Sequence, residues 1–266
     1  MIGAIFGDIV GSVYEFNNIK TKDFELFGEH CFFTDDTVMT VAVADALLEC
    51  ERDIGRFKEI LIRKMHSYGK KYPNAGYGGR FGEWLYYERT EPYNSFGNGS
   101  AMRVSPVAWY AKSLEEAIDF ARASAEITHN HPEGIKGAIV TAGATFLARA
   151  GANMDEIKKF VSSYYDMNFT LDSIRPTYRF NETCQHTVPQ AMQAFFESTS
   201  FEDAIRNGIS IGGDSDTLCA ICGAVAEAYY RLNKSEIVST LRYLDDYLIN
   251  IVLNFRISYN IIINTN

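Results

Sequence analysis

The sequence contains no run of 18 apolar residues, the length typical of a transmembrane helix, so no membrane span is expected. Basic residues are scarce, because 25 Lys and Arg stand against 34 Asp and Glu and give a net charge of −9. This balance argues against general nucleic-acid binding and against binding to anionic membranes. The first residues have no basic segment and reach Asp8 early, so we expect no signal peptide.

Cysteine is also limited, with five residues that show no spacing typical of a disulfide framework. Cys219 and Cys222 form a C-x-x-C pair, but they lie in an apolar segment and no second pair accompanies them. We therefore predict buried free thiols rather than a metal or redox site. A reducing cytoplasm is the expected compartment.

Alternation of apolar and polar residues, the mark of half-buried strands, is scarce, whereas helical periodicity is present in most segments. With 266 residues, 47% of them hydrophobic, the chain predicts an all-α, compact, single-domain orthogonal helical fold over residues 1–266. Residues 71–82, 90–99 and 166–183 are interpreted as loops, and the tail 257–266 has no assignment. The predicted helices are 2–14, 36–50, 55–70, 83–88, 100–111, 113–127, 132–150, 153–165, 185–198, 200–209, 214–231 and 234–254.

The segment Ile211–Thr217, Ile-Gly-Gly-Asp-Ser-Asp-Thr, places two carboxylates and hydroxyl groups just before an apolar helix. Two glycines allow a sharp turn into that helix. One interpretation is ordinary helix capping by Asp214 or Ser215. The other is a metal site, because closely spaced hard oxygens suit Mg²⁺, Mn²⁺ or Ca²⁺.

A second acidic cluster, Thr34-Asp35-Asp36-Thr37, also precedes an apolar helical segment. Two such clusters near opposite ends of the chain can meet in the fold. Four carboxylates gathered there need roughly two divalent ions to balance their charge. The pair of clusters therefore favours a binuclear metal site over capping alone.

Five motifs stand in order along residues 2–232. They are Gly7-Asp8-x-x-Gly11-Ser12-x-Tyr14-Glu15, Phe33-Thr34-Asp35-Asp36-Thr37, Gly97-Asn98-Gly99-Ser100-Ala101-Met102-Arg103, Thr128-His129-x-His131-Pro132-x-Gly134 and Gly212-Gly213-Asp214-Ser215-Asp216-Thr217. Together they resemble the motifs of the ADP-ribosylglycohydrolase family. The resemblance implies an all-α fold, two divalent ions, Mg²⁺ or Mn²⁺, and release of ADP-ribose from an acceptor by glycosidic cleavage.

The resemblance also implies roles for individual residues. Glu15 and Asp36 would be catalytic, with Glu15 near the scissile bond and seven residues after Asp8 on one side of the first helix. Asp8 itself is interpreted as a structural, hydrogen-bonded residue. The metal ligands would be Thr34, Asp35, Asp36, Asp214, Asp216 and Thr217. The substrate-binding residues would be Gly76, Tyr77, Gly78, Asn98, Gly99, Ser100, Met102 and His129.

Several further expectations accompany these roles. Tyr77 or Phe96 is a candidate to stack on adenine, and Arg103 could instead form an ion pair in the core. The segment around Glu15 resembles the family branch that accepts serine-linked and O-acetyl ADP-ribose more than the arginine-specific branch. The expected partner is an ADP-ribosylated protein or an ADP-ribose derivative, and we expect a monomer.

Two other functions stay open on the sequence alone. Binuclear carboxylate sites also serve phosphoesterases that act on nucleotides. A non-catalytic ADP-ribose-binding module could share the scaffold, although the ligand carboxylates and Glu15 are all present.

Overall fold

The computed structural model describes residues 1–259, and within them it contains fifteen helices and no β-strand, only an isolated bridge between Gly97 and Thr183. The prediction of a compact all-α fold is confirmed, while a single domain over residues 1–266 stays a prediction. The helices are α1 (Ile2–Gly11), α2 (Asp35–Glu49), α3 (Ile54–Lys71), α4 (Gly79–Tyr86), α5 (Gly99–Met102), α6 (Ser105–Tyr110), α7 (Leu114–Glu126), α8 (Pro132–Arg149), α9 (Met154–Ser162), α10 (Leu171–Ile174), α11 (Cys184–Phe196), α12 (Phe201–Ser210), α13 (Ser215–Tyr230), α14 (Lys234–Leu241) and α15 (Asp246–Ser258).

Two predicted helices are each divided in the structure. The helix predicted over 100–111 is α5 followed by α6, and Pro106 lies in the first turn of α6, where its missing N–H costs no helical hydrogen bond. The helix predicted over 234–254 ends early, and a new helix begins after Asp245, whose carboxylate accepts a 2.9 Å hydrogen bond from the Leu248 N–H. The tail 257–266 had no assignment from the sequence. Its residues Ile257 and Ser258 belong to α15, and residues 260–266 lie outside the described part.

Helix α1 packs closely against α13 in the centre of the molecule, and every residue of α1 is buried. Glycines make this approach possible. A Cβ atom at Gly7 would lie 2.0 Å from the Cys219 carbonyl oxygen, and one at Gly3 would lie 2.3 Å from the Gly223 carbonyl oxygen. The two helices therefore contact backbone to backbone, which brings Asp8 on α1 close to the start of α13.

No helix among residues 1–259 has both the length and the apolar character needed to cross a bilayer. All five cysteines, which lie in this range, are buried and unpaired. The prediction of buried free thiols is confirmed.

Candidate metal centre and binding cavity

The first turns of α2 and α13 meet, as the two acidic clusters predicted. The Thr217 hydroxyl donates to the Asp36 carboxylate across 3.1 Å. Carboxylate oxygens of Asp8, Asp36 and Asp216 lie within 4.8 Å of one another, and so do those of Glu15, Asp214 and Asp216. Asp216 belongs to both groups and joins them into one cluster.

Asp8 fixes the start of α2. Its carboxylate accepts hydrogen bonds from the Thr34 N–H at 2.9 Å, the Thr34 hydroxyl at 2.7 Å and the Thr37 N–H at 3.0 Å, and also from the Thr37 hydroxyl. The Thr34 hydroxyl in turn accepts from the Asp36 N–H at 3.3 Å, as a helix N-cap does. These bonds orient the residues between Thr34 and Thr37 toward α13.

The start of α13 is held in a different way. The N-cap residue, Asp214, makes no side-chain cap, so capping does not account for its carboxylate. The carboxylate accepts instead from the Asn98 side-chain amide at 2.7 Å, which links α13 to the segment before α5. Gly212 and Gly213 have φ values of 68° and 87°, so the predicted sharp turn uses backbone conformations that favour glycine.

Glu15 is not on the first helix, because α1 ends at Gly11. The expectation that Asp8 and Glu15 share a helix face was wrong. Glu15 lies in the following turn, where the Asn18 side chain donates to the Glu15 carbonyl at 3.0 Å and to the Gly213 carbonyl at 2.8 Å. This side chain holds the turn against the start of α13 and brings Glu15 within reach of Asp216.

Burial raises the pKa values throughout the cluster, and repulsion between carboxylates adds to this effect at Glu15, Asp36, Asp214 and Asp216. Burial raises the pKa of Asp8 and of Asp214 to about 6. Burial, then the charges of Asp216 and Asp8, raises the pKa of Glu15 to about 8. For Asp36 and Asp216, burial and neighbouring carboxylates raise the pKa well above the usual range.

A cation fits this cluster. None of the ion pairs within residues 1–259 involves these carboxylates. The Oδ1 atom of Asp36 is buried and has no hydrogen-bond partner in the described part of the chain. Buried carboxylates without a positive partner are costly, and carboxylate and hydroxyl oxygens are the ligands that hard divalent ions prefer.

Four carboxylates of the cluster, those of Glu15, Asp36, Asp214 and Asp216, line part of a cavity of about 320 Å³. The Gly76 loop reaches it because the Asp35 N–H donates to the Ala75 carbonyl at 2.7 Å. Of the residues predicted from the sequence, those lining the cavity are Glu15, Asp35, Asp36, Gly76, Gly78, Asn98, Gly99, Met102, His129, Asp214, Asp216 and Thr217.

Three predicted residues do not line the cavity. Thr34 is buried within the cluster, and its hydroxyl donates to the Asp8 carboxylate at 2.7 Å. Ser100 is buried, and its hydroxyl donates to the Gly134 carbonyl at 2.7 Å. Tyr77 packs edge-on against Phe81, with ring centroids 5.8 Å apart.

Sequence reasoning missed a second set of lining residues, some on loops that it had noted and some on the irregular stretch 166–183. Arg80 is the basic residue that follows the glycines of the 76–79 loop, and this position could have indicated a binding residue. No local sequence pattern could have indicated Phe180, Glu182 or Thr183, because a tertiary bridge between Gly97 and Thr183 brings their segment to the cavity. The missed residues are Arg80, Phe81, Tyr93, Ser95, Gly97, Phe180, Glu182 and Thr183. Phe96, predicted as a candidate to stack on adenine, does line the cavity, and so does Arg103, for which a core ion pair had been considered.

A family model for ADP-ribosylglycohydrolase matches residues 1–245. The chain belongs to the ADP-ribosylglycohydrolase family. Like the members of that family, it is a hydrolase that cleaves glycosidic bonds of ADP-ribose. Among residues 1–259, the acidic cluster offers carboxylate groups that could hold a metal ion.

Known proteins agree with this membership. The chain is 26% identical to ADP-ribosylhydrolase ARH3 of Mus musculus, over 88% of this chain and 83% of the relative. It is 24% identical to ADP-ribosylarginine hydrolase Tri1 of Pseudomonas putida, over 86% of this chain and 69% of the relative. The fold is that of a solved ADP-ribosylglycohydrolase-related protein complex, with a TM-score of 0.66, 22% identity and coverage of 95% and 94% of the two chains.

Proposed function

We propose that the protein releases ADP-ribose from a modified acceptor with the help of two divalent ions, Mg²⁺ or Mn²⁺. The observation that supports this proposal most strongly is that Asp216 joins two sets of closely spaced carboxylates beside the cavity. The proposed metal ligands are Thr34, Asp35, Asp36, Asp214, Asp216 and Thr217. Asp8 and Glu15 lie in the same groups, and we assign Asp8 to orienting Thr34 and Thr37.

Bound divalent ions would orient ribose hydroxyls and lower the pKa of a bound water molecule. The protein's own residues supply the rest. Glu15 is half-buried beside Asp216 and would hold or transfer a proton next to the ribose carbon whose bond is cleaved. Asp36 would stabilise positive charge on the sugar, because glycosidic cleavage passes through an oxocarbenium-like transition state.

The remainder of the cavity suits the diphosphate and adenine. Glycines at 76, 78, 97 and 99 allow a ligand to approach the backbone closely, and Arg80 adds a positive charge. Phe96 is 42% exposed in the lining and is the better candidate to stack on adenine than Tyr77, which does not line the cavity. We therefore expect the distal ribose to bind beside the carboxylates.

The acceptor would leave past an exposed pair of aromatic side chains next to Glu15. Phe16 follows Glu15 and is 79% exposed, and its ring stacks on Phe180 with a centroid distance of 5.9 Å. We propose oxygen-linked substrates, such as ADP-ribosylated serine or O-acetyl ADP-ribose. The resemblance of the segment around Glu15 supports this choice, whereas one relative, ADP-ribosylarginine hydrolase Tri1, is named for an arginine linkage.

A turnover assay tests the function. The protein is offered arginine-linked, serine-linked and O-acetyl ADP-ribose with Mg²⁺, Mn²⁺ or EDTA, and free ADP-ribose is measured. We expect metal-dependent release of ADP-ribose from the serine-linked and O-acetyl substrates. If ADP-ribose binds but none of the substrates is cleaved, the result would favour a non-catalytic ADP-ribose-binding module. Release of phosphate would favour a phosphoesterase.

The proposal includes an ADP-ribosylated protein or an ADP-ribose derivative as partner, and a monomer. It also places the protein in the cytoplasm, which the five unpaired buried thiols support. The net charge of −9 supports the absence of general nucleic-acid binding.

A further inference from the structure

A buried arginine lies at the cavity and pairs with no carboxylate among residues 1–259. Arg103 is 1% exposed, and its guanidinium donates to the Ser124 carbonyl and to the Thr128 hydroxyl, each at 2.9 Å. The expectation of a core ion pair was wrong. Arg103 instead orients the two groups to which it donates.

The Thr128 hydroxyl connects this arginine to His129. The hydroxyl oxygen lies 2.8 Å from the Nδ1 atom of His129. An arginine can only donate, so Thr128 accepts from Arg103 and keeps one proton of its own. Within residues 1–259 the only bonded group that can accept that proton is Nδ1 of His129. Because Thr128 is fully buried, the opposite arrangement would leave its hydroxyl proton unpaired at a substantial cost.

We propose that Arg103 and Thr128 are positioning residues that hold His129 as the neutral tautomer with its proton on Nε2, for donation to an oxygen of ADP-ribose. The inference rests on the proposed function for the identity of the ligand. The tautomer itself follows from the hydrogen bonds alone.

Two features of the surroundings agree with this assignment. Burial, then the charges of Arg103 and Arg80, lowers the pKa of His129 well below its usual value, so the ring is neutral. The Nε2 atom lies 3.2 Å and 3.5 Å from the positions that Cβ atoms would take at Gly99 and Gly97. The two glycines therefore leave this nitrogen open beside the cavity, where any larger side chain would cover it.

The first test is ¹⁵N NMR of the ligand-free protein, in which the two ring nitrogens report which one carries the proton. A His129→Gln spectrum identifies the His129 signals among those of the five histidines. The expected result is an unprotonated Nδ1 and a protonated Nε2. A proton on Nδ1 overturns the inference, even when ADP-ribose binds and is released as proposed.

The second test compares variants in the same protein. Thr128→Val should no longer fix the proton of His129 on Nε2 and should weaken ADP-ribose binding about five- to tenfold, as expected for one lost hydrogen bond. Thr128→Ser keeps a hydroxyl and should retain both the Nε2 tautomer and the affinity for ADP-ribose. Ser124→Ala is the matched control, because it removes a buried hydroxyl from the neighbouring turn while Arg103 contacts only the Ser124 carbonyl.

Titration with ADP in place of ADP-ribose locates the acceptor oxygen. A loss of affinity for both ligands in Thr128→Val places it in the adenosine diphosphate part, and a loss for ADP-ribose alone places it in the distal ribose. Unchanged binding and an unchanged tautomer in Thr128→Val would overturn the inference. If this variant does not fold, the spectrum of the wild-type protein still decides.

Discussion

Asp216 connects the two carboxylate groups of the site, so it is the residue on which the cluster most depends. It lies in the first turn of α13 and is buried, and burial, then the charge of Asp214, raises its pKa well above the usual range. An amide in its place would keep the shape and remove one of the charges that a cation balances. The effect of that change is therefore specific to metal binding.

We predict that Asp216→Asn lowers the number of divalent ions bound per protein and abolishes most turnover. The measurement is metal content after equilibration with Mn²⁺, together with release of ADP-ribose. Asp155→Asn is the control, because Asp155 is an exposed first-turn carboxylate on α9. Metal content equal to that of the wild type would contradict the ligand assignment.

Glu15→Gln separates chemistry from binding. The glutamine keeps the size of the side chain but cannot transfer a proton, so turnover should fall roughly 10²–10⁴-fold, the usual contribution of general acid–base catalysis. ADP-ribose affinity, measured by calorimetry, should change little. A variant that turns over normally, or that no longer binds ADP-ribose, would remove Glu15 from the catalytic role.

At the scale of elements, the contact between α1 and α13 determines where the carboxylates lie. Gly7 faces the α13 backbone with no room for a side chain. The same contact places Asp8, the next residue, beside Thr34 and Thr37. Packing of these two helices and the geometry of the site are therefore coupled.

Gly7→Ala should consequently destabilise the protein by about 1–3 kcal/mol or more, because the obstructing atoms are backbone and cannot rotate away. The free energy of unfolding in urea is the measurement. Gly28→Ala is the matched control, since a Cβ atom there would have no neighbour within 4 Å. Equal stability of the two variants would mean that α1 and α13 lie further apart than described.

Across the whole molecule, the raised pKa values make stability depend on pH. A carboxylate with a higher pKa in the folded state binds more protons when folded, so stability is greatest at low pH and falls as the pH rises. For Asp8 and Asp214, stability is lost as the pH rises from the usual pKa of 3.8 to the folded-state pKa of about 6. For Glu15 the loss of stability extends to its folded-state pKa of about 8. Asp8 alone would contribute a loss of roughly 3 kcal/mol across its window.

We therefore predict that the protein in EDTA is less stable at pH 7.5 than at pH 5, and that saturating Mg²⁺ or Mn²⁺ removes much of the difference. Urea midpoints at the two pH values, with and without metal, provide the measurement. Asp216→Asn should show a smaller effect of pH and of metal. A metal-free protein that gains stability from pH 5 to 7.5 would argue against a carboxylate cluster of this kind.

The sequence predicted most helices and both acidic clusters because these depend on local signals. Thr34 is an N-cap with two carboxylates after it, and Gly212-Gly213 permits the turn before Asp214. Errors occurred where a local pattern continued past a break, as at Gly11, where α1 ends before Glu15. Helical periodicity does not show which apolar residues will find a partner across the core.

By itself, the sequence determined the helical class, the buried thiols, the family motifs and the residue types of an acidic site, since each rests on neighbouring residues or on composition. Only the tertiary structure decided which residues face the cavity. It moved Tyr77 and Ser100 out of the lining and brought in Phe180 through contacts between distant segments. It also connected Arg103 to His129 through Thr128, because a hydrogen-bond network depends on positions in space rather than on spacing along the chain.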